Sequence, residues 1–369
     1  MINKPFNILI AGGKTGGHLF PGIAIAQAIE RISQNAKILF VGTNAPFETQ
    51  TLKKYNYAHQ SIFSKPIKGG NLFSKFFSIT IILVSLFQSL LIMKSFKPDF
   101  VLGVGGFSSF AVVLAAWVLG IPTAIQEQNA FPGLTNRMLS KFTKTIFTSF
   151  AVTKGLKHNP KVNFVGNPVR KTAADTANDN LKLNKFNPDK LTLLVTGGSQ
   201  GASSINKAFT EAIALMDITQ KFNIIHQTGM NDESVIQKKY SDHNITATAK
   251  AFFHNMPELL NKADLAITRA GAGTISELCM NGLPAILVPF PHAADDHQTF
   301  NAKALEDQNA AVMIADNKLT GQILKETIEG LLDNKKDLNR MAETLKQISM
   351  PDADEKIATF ILKTKGFKA

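Results

Sequence analysis

A histidine ends a glycine-rich segment near the start of the chain, GGKTGGH at residues 12–18. Glycines let the backbone approach a phosphate, and the N-terminus of a following helix offers N–H groups and a positive dipole. An imidazole, whose unperturbed pKa is about 6.5, suits general-base chemistry at neutral pH. We therefore predict a phosphate-binding turn with His18 as the candidate base. The alternatives are a tight turn without a ligand and a histidine that only orients the loop.

Two familiar nucleotide-binding motifs do not fit this segment. A Walker A loop requires its first glycine well before the lysine, at a position that Ile8 occupies here. A dinucleotide fingerprint requires an acidic residue at the end of the second strand, whereas the predicted strand Lys37 to Val41 is followed by Gly42, Thr43 and Asn44. The segment is therefore neither a P-loop nor a typical NAD site.

Other turns rich in small residues follow predicted strands further along the chain: GVGGFS at 103–108, TGGSQG at 196–201 and RAGAGTISE at 269–277. The last turn begins a predicted helix that contains Glu277. Its carboxylate can accept hydrogen bonds from both hydroxyls of a ribose, and an acid that only satisfies the helix dipole is the alternative. Gln298 and Asn301 share one face of a later helix. Together these groups predict a ligand cleft between two domains.

The elements that position these turns form two series in which short apolar runs alternate with helix-like stretches. The runs are predicted strands: Phe6 to Ile10, Lys37 to Val41, Phe100 to Leu102, Leu191 to Val195, Asn223 to Ile225, Leu265 to Thr268 and Ala285 to Val288. Such alternation predicts an α/β protein with doubly wound parallel sheets. A length of 369 residues suits two domains, and the polar stretch 171–190 is the predicted linker between them.

The composition is that of a globular protein with an excess of positive charge. Hydrophobic residues make up 44 % of the chain and charged residues 18 %, which argues against a disordered protein. One cysteine, Cys279, excludes an internal disulfide and a cysteine-rich zinc site and suits a reducing cytoplasm. The formal net charge of +12 favours an anionic membrane face, a diphosphate or nucleic acid. In residues 1–11 we expect a strand and no secretory signal.

Residues 76–93, FFSITIILVSLFQSLLIM, form a long apolar stretch with lysines on both sides. Its length is near the lower limit for a membrane span. Polar residues interrupt it, however, and a span would place the two halves of one sheet on opposite sides of a bilayer. We therefore expect a buried helix, or a helix whose apolar side meets lipid while the lysines meet headgroups. A lipid substrate would favour the second interpretation.

Seven motifs, in one order along nearly the whole chain, resemble those of the MurG family. They are GGKTGGH, GVGGFSS, EQN at 127–129, GNPVR at 166–170, GGSQGA, RAGAGTISE and HQTFNA. These enzymes are UDP-N-acetylglucosamine:undecaprenyl-pyrophosphoryl-muramyl-pentapeptide N-acetylglucosaminyltransferases, which convert lipid I into lipid II for peptidoglycan synthesis. The resemblance implies the same hexosyl transfer, at the cytoplasmic face of the plasma membrane. Lys14 is a departure, because members often carry glycine there.

The resemblance also implies a GT-B architecture, in which two Rossmann-like domains with parallel sheets face each other across a cleft. Residues 1–170 would bind the acceptor and associate with the membrane, and 171–190 would form the linker. Residues 191–350 would bind the UDP-sugar, and 351–369 would form a helix that packs back on the first domain. The implied partners are UDP-GlcNAc, lipid I, an anionic membrane surface and other wall-synthesis proteins, without nucleic acid.

Matched motifs assign residues to substrate binding. For the donor, the positions are Ser199 and Gln200 at the phosphates, Glu277 at the ribose, the Phe253 backbone at uracil, Ala272, Gly273 and Thr274 at the diphosphate, and Gln298 and Asn301 at the sugar hydroxyls. The residues that would complete the pocket are Thr15, Gly16, Gly17, Asn129 and Arg170.

The family inverts configuration, so the resemblance implies one direct displacement by the muramyl 4-hydroxyl. His18 is the candidate catalytic base and Glu127 the reserve. Helix amides with Arg170 or Arg269 would stabilise the leaving diphosphate in place of a metal. The Asp-x-Asp sequence at 352–354 lies at a predicted helix start, where capping explains it. We therefore expect no obligatory metal or other cofactor.

Two other classes of function remain open at this level. Another GT-B enzyme that uses UDP-sugars, such as a glycolipid synthase or a UDP-sugar epimerase, would share the glycine turns. An epimerase needs no lipid acceptor, so the apolar stretch 76–93 argues mildly against it. A basic nucleic-acid-binding protein would use the net charge, but no recognition motif is present.

Overall fold

The structure is a computed structural model that describes residues 5–65, 72–169, 190–198, 200–216 and 222–364. The chain divides into two compact units. The first unit comprises Met1–Lys171 together with Pro351–Ala369, and the second comprises Thr172–Met350.

The first unit is built on a parallel sheet. Its strands are β1 (Phe6–Gly12), β2 (Ala36–Gly42), β3 (Ala58–Ser61), β4 (Phe100–Gly105), β5 (Thr123–Glu127), β6 (Thr145–Thr148) and β7 (Val162–Phe164). The order across the sheet is β3-β2-β1-β4-β5-β6-β7. Strand β1 is therefore central: β2 and β3 are added on one side of it, and β4 to β7 on the other. Central strands such as β1 are continuous apolar runs because helices cover both faces of the sheet.

Helices connect these strands as crossovers. They are α1 (Gly16–Ile32), α2 (Pro46–Lys54), α3 (Leu72–Phe96), α4 (Phe107–Val118) and α5 (Leu134–Leu139). Helices α1 and α4 each begin directly after a glycine turn, at the carboxyl ends of β1 and β4. Because β1 and β4 are neighbours in the sheet, the two turns lie side by side.

The long apolar stretch forms α3, which joins β3 to β4 and packs against α4. Its buried serines lose no hydrogen bonds, since Ser85 and Ser89 donate to backbone carbonyls one turn earlier. The opposite face exposes large apolar side chains: Ile79, Leu83, Val84, Phe87 and Leu91. The interpretation as a fully buried helix is therefore wrong. The segment Ile79–Phe96 is also long and apolar enough to cross a membrane, by length and composition alone.

The second unit repeats this plan with a second parallel sheet. Its strands are β8 (Leu191–Thr196), β9 (Phe222–Gln227), β10 (Ala247–Lys250), β11 (Leu265–Thr268), β12 (Ala285–Leu287) and β13 (Val312–Met313), in the order β10-β9-β8-β11-β12-β13. Its helices are α6 (Ser203–Leu215), α7 (Glu233–Asp242), α8 (Met256–Lys262), α9 (Ala272–Asn281), α10 (His297–Glu306), α11 (Gly321–Asp333) and α12 (Lys335–Ile348). Helices α6 and α9 follow the small-residue turns after the neighbouring strands β8 and β11.

The last helix, α13 (Ala353–Lys363), belongs to the first unit and packs against α1. Ile357 and Ile361 are completely buried in the core that also contains β1 and α1. Arg31 in α1 forms an ion pair with the buried Asp354, with 2.7 Å between Nη2 and Oδ2. The helix is thus an integral part of the first unit.

The predicted fold class is confirmed, because both units are α/β with parallel sheets. The predicted strands are also present, each within a few residues of its expected bounds. Six strands were not predicted: the edge strands β3, β7, β10 and β13, and the interior strands β5 and β6.

Candidate active site

In the first unit, the turns after β1 and β4 are in direct contact. Gly12 and Gly105 have φ angles of 116° and 98°, which favour glycine. A Cβ atom at Gly12 would overlap the carbonyl oxygen of Gly105. The imidazole of His18 lies on Gly105, where a Cβ atom would come within 2.9 Å of Nε2. Glycine at these positions therefore lets the two turns and the imidazole pack together.

A hydrogen bond of 2.9 Å joins His18 Nδ1 to the Thr15 hydroxyl. Thr15 is the residue before α1, and Gly16, Gly17 and His18 form its first turn. A catalytic base needs a ring nitrogen with an available lone pair. If Nδ1–H donates to Thr15, the lone pair is on Nε2, the nitrogen beside Gly105. In the other tautomer the Thr15 hydroxyl donates to Nδ1 and the proton is on Nε2, so a role for Nε2 as the base requires the first tautomer.

A buried carboxylate packs against the same turn. Glu48 is completely buried and accepts hydrogen bonds from the backbone N–H and the hydroxyl of Thr43, at 3.0 and 2.7 Å. Its second oxygen, Oε1, lies 3.8 Å from Nε2 of His59, and a Cβ atom at Gly13 would be 3.4 Å from it. Burial raises the pKa of Glu48 and lowers the pKa of His59. No motif in the sequence indicated this pair.

Glu127, the reserve base, is buried at the end of β5 and holds the following loop. Oε1 accepts hydrogen bonds from the backbone and side-chain amides of Asn129, at 2.9 and 3.3 Å. Oε2 accepts from the Gly133 backbone at 3.1 Å and from the Asn136 side chain at 2.9 Å. Burial raises the pKa of Glu127, and these hydrogen bonds oppose the rise. With two donors on each oxygen, the carboxylate is placed to orient Asn129 rather than to accept a substrate proton.

An amide network connects the ends of β4, β5 and β6. Gln128 donates to the Val104 carbonyl at 2.7 Å and also to the side chain of Gln126. Gln126 in turn donates to Ser149 at 3.1 Å and to Asn167 at 3.4 Å. Asn167 belongs to the GNPVR motif, so this network fixes the start of the segment that leads to Arg170. Arg170 itself lies outside the described residues.

In the second unit, the TGGSQG turn packs on the loop after β9. Gly201 and Gly229 have φ angles of 78° and 81°, and a Cβ atom at Gly229 would come within 2.6 Å of the Gln200 carbonyl oxygen. The side chain of Gln200 is therefore exposed, while its backbone packs closely against Gly229. Ser199, the other predicted phosphate contact, lies outside the described residues.

Phe253 is predicted to present backbone groups to a uracil, and its side chain is indeed unavailable because it is 1 % exposed. Its backbone N–H donates to Oε1 of Gln227 at 2.9 Å. Gln227, at the end of β9, is also buried and was not predicted as a site residue. It belongs to an ordinary-looking HQTG sequence, and its partners become adjacent only in the folded sheet.

Helix α9 begins at Ala272, directly after the RAG turn. Ala272, Gly273 and Thr274 therefore contribute the first N–H groups of a helix, which have no acceptor within the helix. Glu277 lies on the second turn of α9 and is half-buried. The predicted site residues of this motif are thus assembled at one helix start.

Gln298 and Asn301 both lie on α10 and both hold the backbone of Ala270. Gln298 Oε1 accepts hydrogen bonds from the N–H groups of Ala270 and Phe290, at 3.2 and 3.0 Å. The Asn301 side chain is completely buried and donates to the Ala270 carbonyl at 3.1 Å. The Asn301 side chain therefore braces the turn before α9, and its contact with a sugar hydroxyl stays a prediction. Gln298 presents its amide N–H groups, so a sugar contact for Gln298 remains a prediction.

Arg269 is already paired with a carboxylate in this structure. Its guanidinium is mostly buried and lies 2.5 Å from the carboxylate of Asp316. It also donates to the Ser204 hydroxyl at 3.0 Å and to the Val288 and Pro289 carbonyls at 3.2 and 3.1 Å. Asp316 balances the charge of Arg269. The hydrogen bonds to Val288 and Pro289 connect the turn before α9 to the loop after β12.

The Asp-x-Asp sequence at 352–354 is explained differently from the prediction. Asp352 precedes α13 but makes no side-chain capping hydrogen bond, and Asp354 pairs with Arg31. Within the part of the chain that the structure describes, no three or more His, Cys, Asp or Glu side chains are grouped so that they could hold a metal ion.

Family models match both units of the chain. Residues 8–148 match the glycosyltransferase family 28 N-terminal domain, and residues 192–357 match the glycosyltransferase family 28 C-terminal domain. The two matches together cover more than half of the chain.

Relatives match over almost the whole length. A protein of Myxococcus xanthus (strain DK1622) is 38 % identical over 352 residues, which cover 95 % of this chain and 91 % of the relative. It is named UDP-N-acetylglucosamine--N-acetylmuramyl-(pentapeptide) pyrophosphoryl-undecaprenol N-acetylglucosamine transferase. A protein of Syntrophus aciditrophicus (strain SB) with the same name is 40 % identical over 345 residues, covering 92 % of this chain and 94 % of the relative.

Solved structures share the fold. The crystal structure of Acinetobacter baumannii MurG matches with a TM-score of 0.80 and 30 % identity, over 97 % of this chain and all of that one. A UDP-GlcNAc 2-epimerase from Neisseria meningitidis matches with a TM-score of 0.68 over 97 % of this chain and 99 % of that one, but at 15 % identity it shares the fold alone. Together with the seven motifs, these similarities place the chain in glycosyltransferase family 28 and, within it, in the MurG family of GT-B enzymes.

Proposed function

We propose that the chain is an inverting hexosyltransferase that moves N-acetylglucosamine from UDP-GlcNAc to the 4-hydroxyl of the muramyl residue of lipid I. The product is lipid II, the precursor of peptidoglycan. The observation that carries the proposal is similarity along 95 % of the chain to enzymes named for this transfer. The glycine turns of both units support it, because each brings backbone N–H groups to the end of a strand.

The second unit would bind the donor. Amides at the start of α9, from Ala272 to Thr274, would meet the diphosphate, and Glu277 would accept hydrogen bonds from the ribose. Gln298 would donate to a sugar hydroxyl, since its oxygen already holds two backbone N–H groups. Phe253 would contact uracil through its backbone, and Ser199 and Gln200 would contact the phosphates.

His18 would remove the proton from the attacking hydroxyl as the sugar gains positive character. Thr15 would orient the ring, and the contact with Gly105 would hold Nε2 at the carboxyl end of the sheet. Gly16 and Gly17 would let the acceptor approach this turn, and Asn129 would contribute an amide that Glu127 orients.

The leaving diphosphate would be stabilised by the N-terminal dipole of α9 and by Arg170. The negative charge of the leaving diphosphate would develop next to these fixed groups, so we propose that the reaction needs no obligatory metal ion. Arg269 would act indirectly, by fixing the turn that carries the α9 amides.

We also propose that the first unit rests on an anionic membrane surface, at the cytoplasmic face. Support comes from α3, whose Leu83 and Phe87 are 59 % and 63 % exposed. The exposed Phe63 is linked to α3 by a hydrogen bond from its backbone to Gln88, at 2.7 Å. Lys65 places its ammonium 5.4 Å from the Phe63 ring. An apolar stripe with an adjacent cation is typical of interfacial helices.

Transfer of labelled N-acetylglucosamine from its UDP ester to a short-chain lipid I analogue tests the proposal, with and without EDTA. We expect the disaccharide product in both reactions. Product that disappears with EDTA and returns with Mg²⁺ would contradict metal independence. UDP-GlcNAc binding without transfer would point to a different acceptor, and epimerised UDP-sugar would identify an epimerase.

A further inference from the structure

Gln227 occupies a central place in the second unit. It ends β9, which lies between β8 and β10 in the sheet. Its side chain is 3 % exposed. The loops that follow β8 and β10 carry the residues assigned above to the phosphates and to the base. A side chain at the end of β9 therefore stands between these two loops.

The Gln227 amide bonds to both loops. Nε2 donates to the Gly198 carbonyl at 2.9 Å and to the Thr196 hydroxyl at 3.2 Å, while Oε1 accepts from the Phe253 N–H at 2.9 Å. The Thr196 hydroxyl also accepts the Gly198 N–H, at 3.1 Å. Gly198 is thus held through both its N–H and its carbonyl.

The orientation of this amide is fixed by its partners. The reversed orientation would place an oxygen against the Gly198 carbonyl and an NH₂ group against the Phe253 N–H. Both contacts would be repulsive, and each would leave a buried polar group without a partner. Only a neutral side chain that donates at one end and accepts at the other satisfies both loops.

We infer that Gln227 is a positioning residue that sets the distance between two loops of the donor site. These are the loop after β10, which would bind the base and is called the base-binding loop, and the loop after β8, which would bind the phosphates. This inference rests on the proposed function. UDP would contact both loops, through its base and its phosphates. Uridine lacks the phosphates, so it would contact the loop after β10 and Glu277 but not the loop after β8. A substitution at Gln227 should therefore change the additional affinity that UDP has over uridine.

Two variants separate the two halves of the amide. Gln227→Glu has the same shape and keeps an acceptor for Phe253, but it loses both donors and sets a carboxylate against the Gly198 carbonyl. Gln227→Met has a similar length and removes all three hydrogen bonds. Gln237→Met is the matched control, because Gln237 lies on α7 and donates to the Ala249 carbonyl at 2.9 Å, within strand β10 and not in either loop.

The test is titration calorimetry of the full chain with UDP and with uridine. For Gln227→Glu we expect UDP affinity to fall about tenfold and uridine affinity to change less than threefold, so that the ratio of the two collapses. For Gln227→Met we expect both affinities to fall. The control should match the wild type, and the circular dichroism of all variants should be unchanged.

Either of two results would overturn the inference. One is a folded Gln227→Glu protein that binds both UDP and uridine as tightly as the wild type does. The other is an equal loss for UDP and uridine in Gln227→Glu, which is the signature of general destabilisation. If Gln227→Met does not fold, Gln227→Glu alone decides. A wild-type protein that binds no UDP would contradict the proposed function itself.

Discussion

The two units differ in the polar groups that they bury. The first unit buries the carboxylates of Glu48, Glu127 and Asp354. In the described residues of the second unit, the buried polar side chains are all amides, hydroxyls or a histidine, and burial lowers the pKa of that histidine, His226, to about 3. Apart from the partly exposed Arg269–Asp316 ion pair, the second unit thus keeps a neutral interior, although both units have the same architecture.

This difference matches the charges that the two units are proposed to handle. A buried carboxylate acts over a long range in a low-dielectric interior, and it would repel the diphosphate of a nucleotide. In the first unit, carboxylates instead anchor loops, as Glu127 anchors Asn129. The same fold therefore uses charged anchors on one sheet and, apart from the Arg269–Asp316 pair, neutral anchors on the sheet assigned to the anionic donor.

The largest expected effect concerns a residue of the first unit that is not an anchor. His18→Ala should lower kcat by roughly a hundred- to ten-thousandfold, because it removes the proposed base. The affinity for UDP should stay within about twofold of the wild type, since the nucleotide is proposed to bind to the second unit. Single-turnover kinetics and calorimetry measure the two quantities. Near-normal turnover at saturating substrates would rule out the assignment.

A carboxylate introduced into the neutral interior of the second unit should destabilise it, and this tests the difference between the two units. Asn206 is 1 % exposed, and its amide donates to the Thr228 carbonyl and to Asp232, both at 2.8 Å. Asn206→Asp turns both contacts into repulsion and should lower the free energy of unfolding by about 3 kcal/mol at neutral pH. The loss should shrink in acid as the new carboxyl, or His226 beside it, becomes protonated.

Urea unfolding between pH 5 and pH 8 measures this effect, with the exposed Asn317→Asp as the control. An equal and pH-independent loss in both variants would mean that the neutral interior of the second unit has no electrostatic significance.

The exposed face of α3 provides a smaller effect. Phe87→Ser should weaken binding to vesicles of anionic phospholipid about tenfold, because a large apolar side chain leaves the interface. Val235→Ser in α7 of the second unit, where the side chain is 54 % exposed, is the control and should bind as the wild type does. Co-sedimentation with vesicles measures both. Equal binding by the wild type and both variants would mean that α3 does not contact the membrane.

The smallest effect should come from neutralising Glu48. Burial raises its pKa, so the folded protein favours the protonated form, and wild-type stability falls as the pH rises above the unfolded value. Glu48→Gln should remove this decline and stabilise the protein at pH 7 by about 1 kcal/mol. Its new NH₂ group would also face Nε2 of His59. Glu343→Gln, on the exposed face of α12, is the control for urea unfolding. A destabilised Glu48→Gln protein at pH 7 would contradict this reading.

The sequence was most informative where function depends on short segments. Glycine turns followed by apolar helices are local patterns, so the positions of His18, Ala272 and Glu277 at helix starts could be predicted. The α/β architecture could be predicted for the same reason. Strands β3 and β13 were missed because they are short, and β3 is also polar.

The parts that could not be predicted depend on contacts between distant segments. Arg269 resembles a phosphate ligand by its position, but its partner Asp316 is 47 residues away. The resemblance to the MurG family implies a sugar contact for Asn301, whose side chain is turned inward onto Ala270. Gln227 carries no motif, and its partners belong to loops that only the sheet order brings together.

The return of α13 to the first unit has a consequence for the order in which the protein is made. Ile357 and Ile361 fill a core that begins at β1, so that core stays incomplete until α13, which follows the whole second unit in the sequence, has left the ribosome. All strands of the second unit emerge earlier and can pair first. The unit that is synthesised first is therefore the last to close.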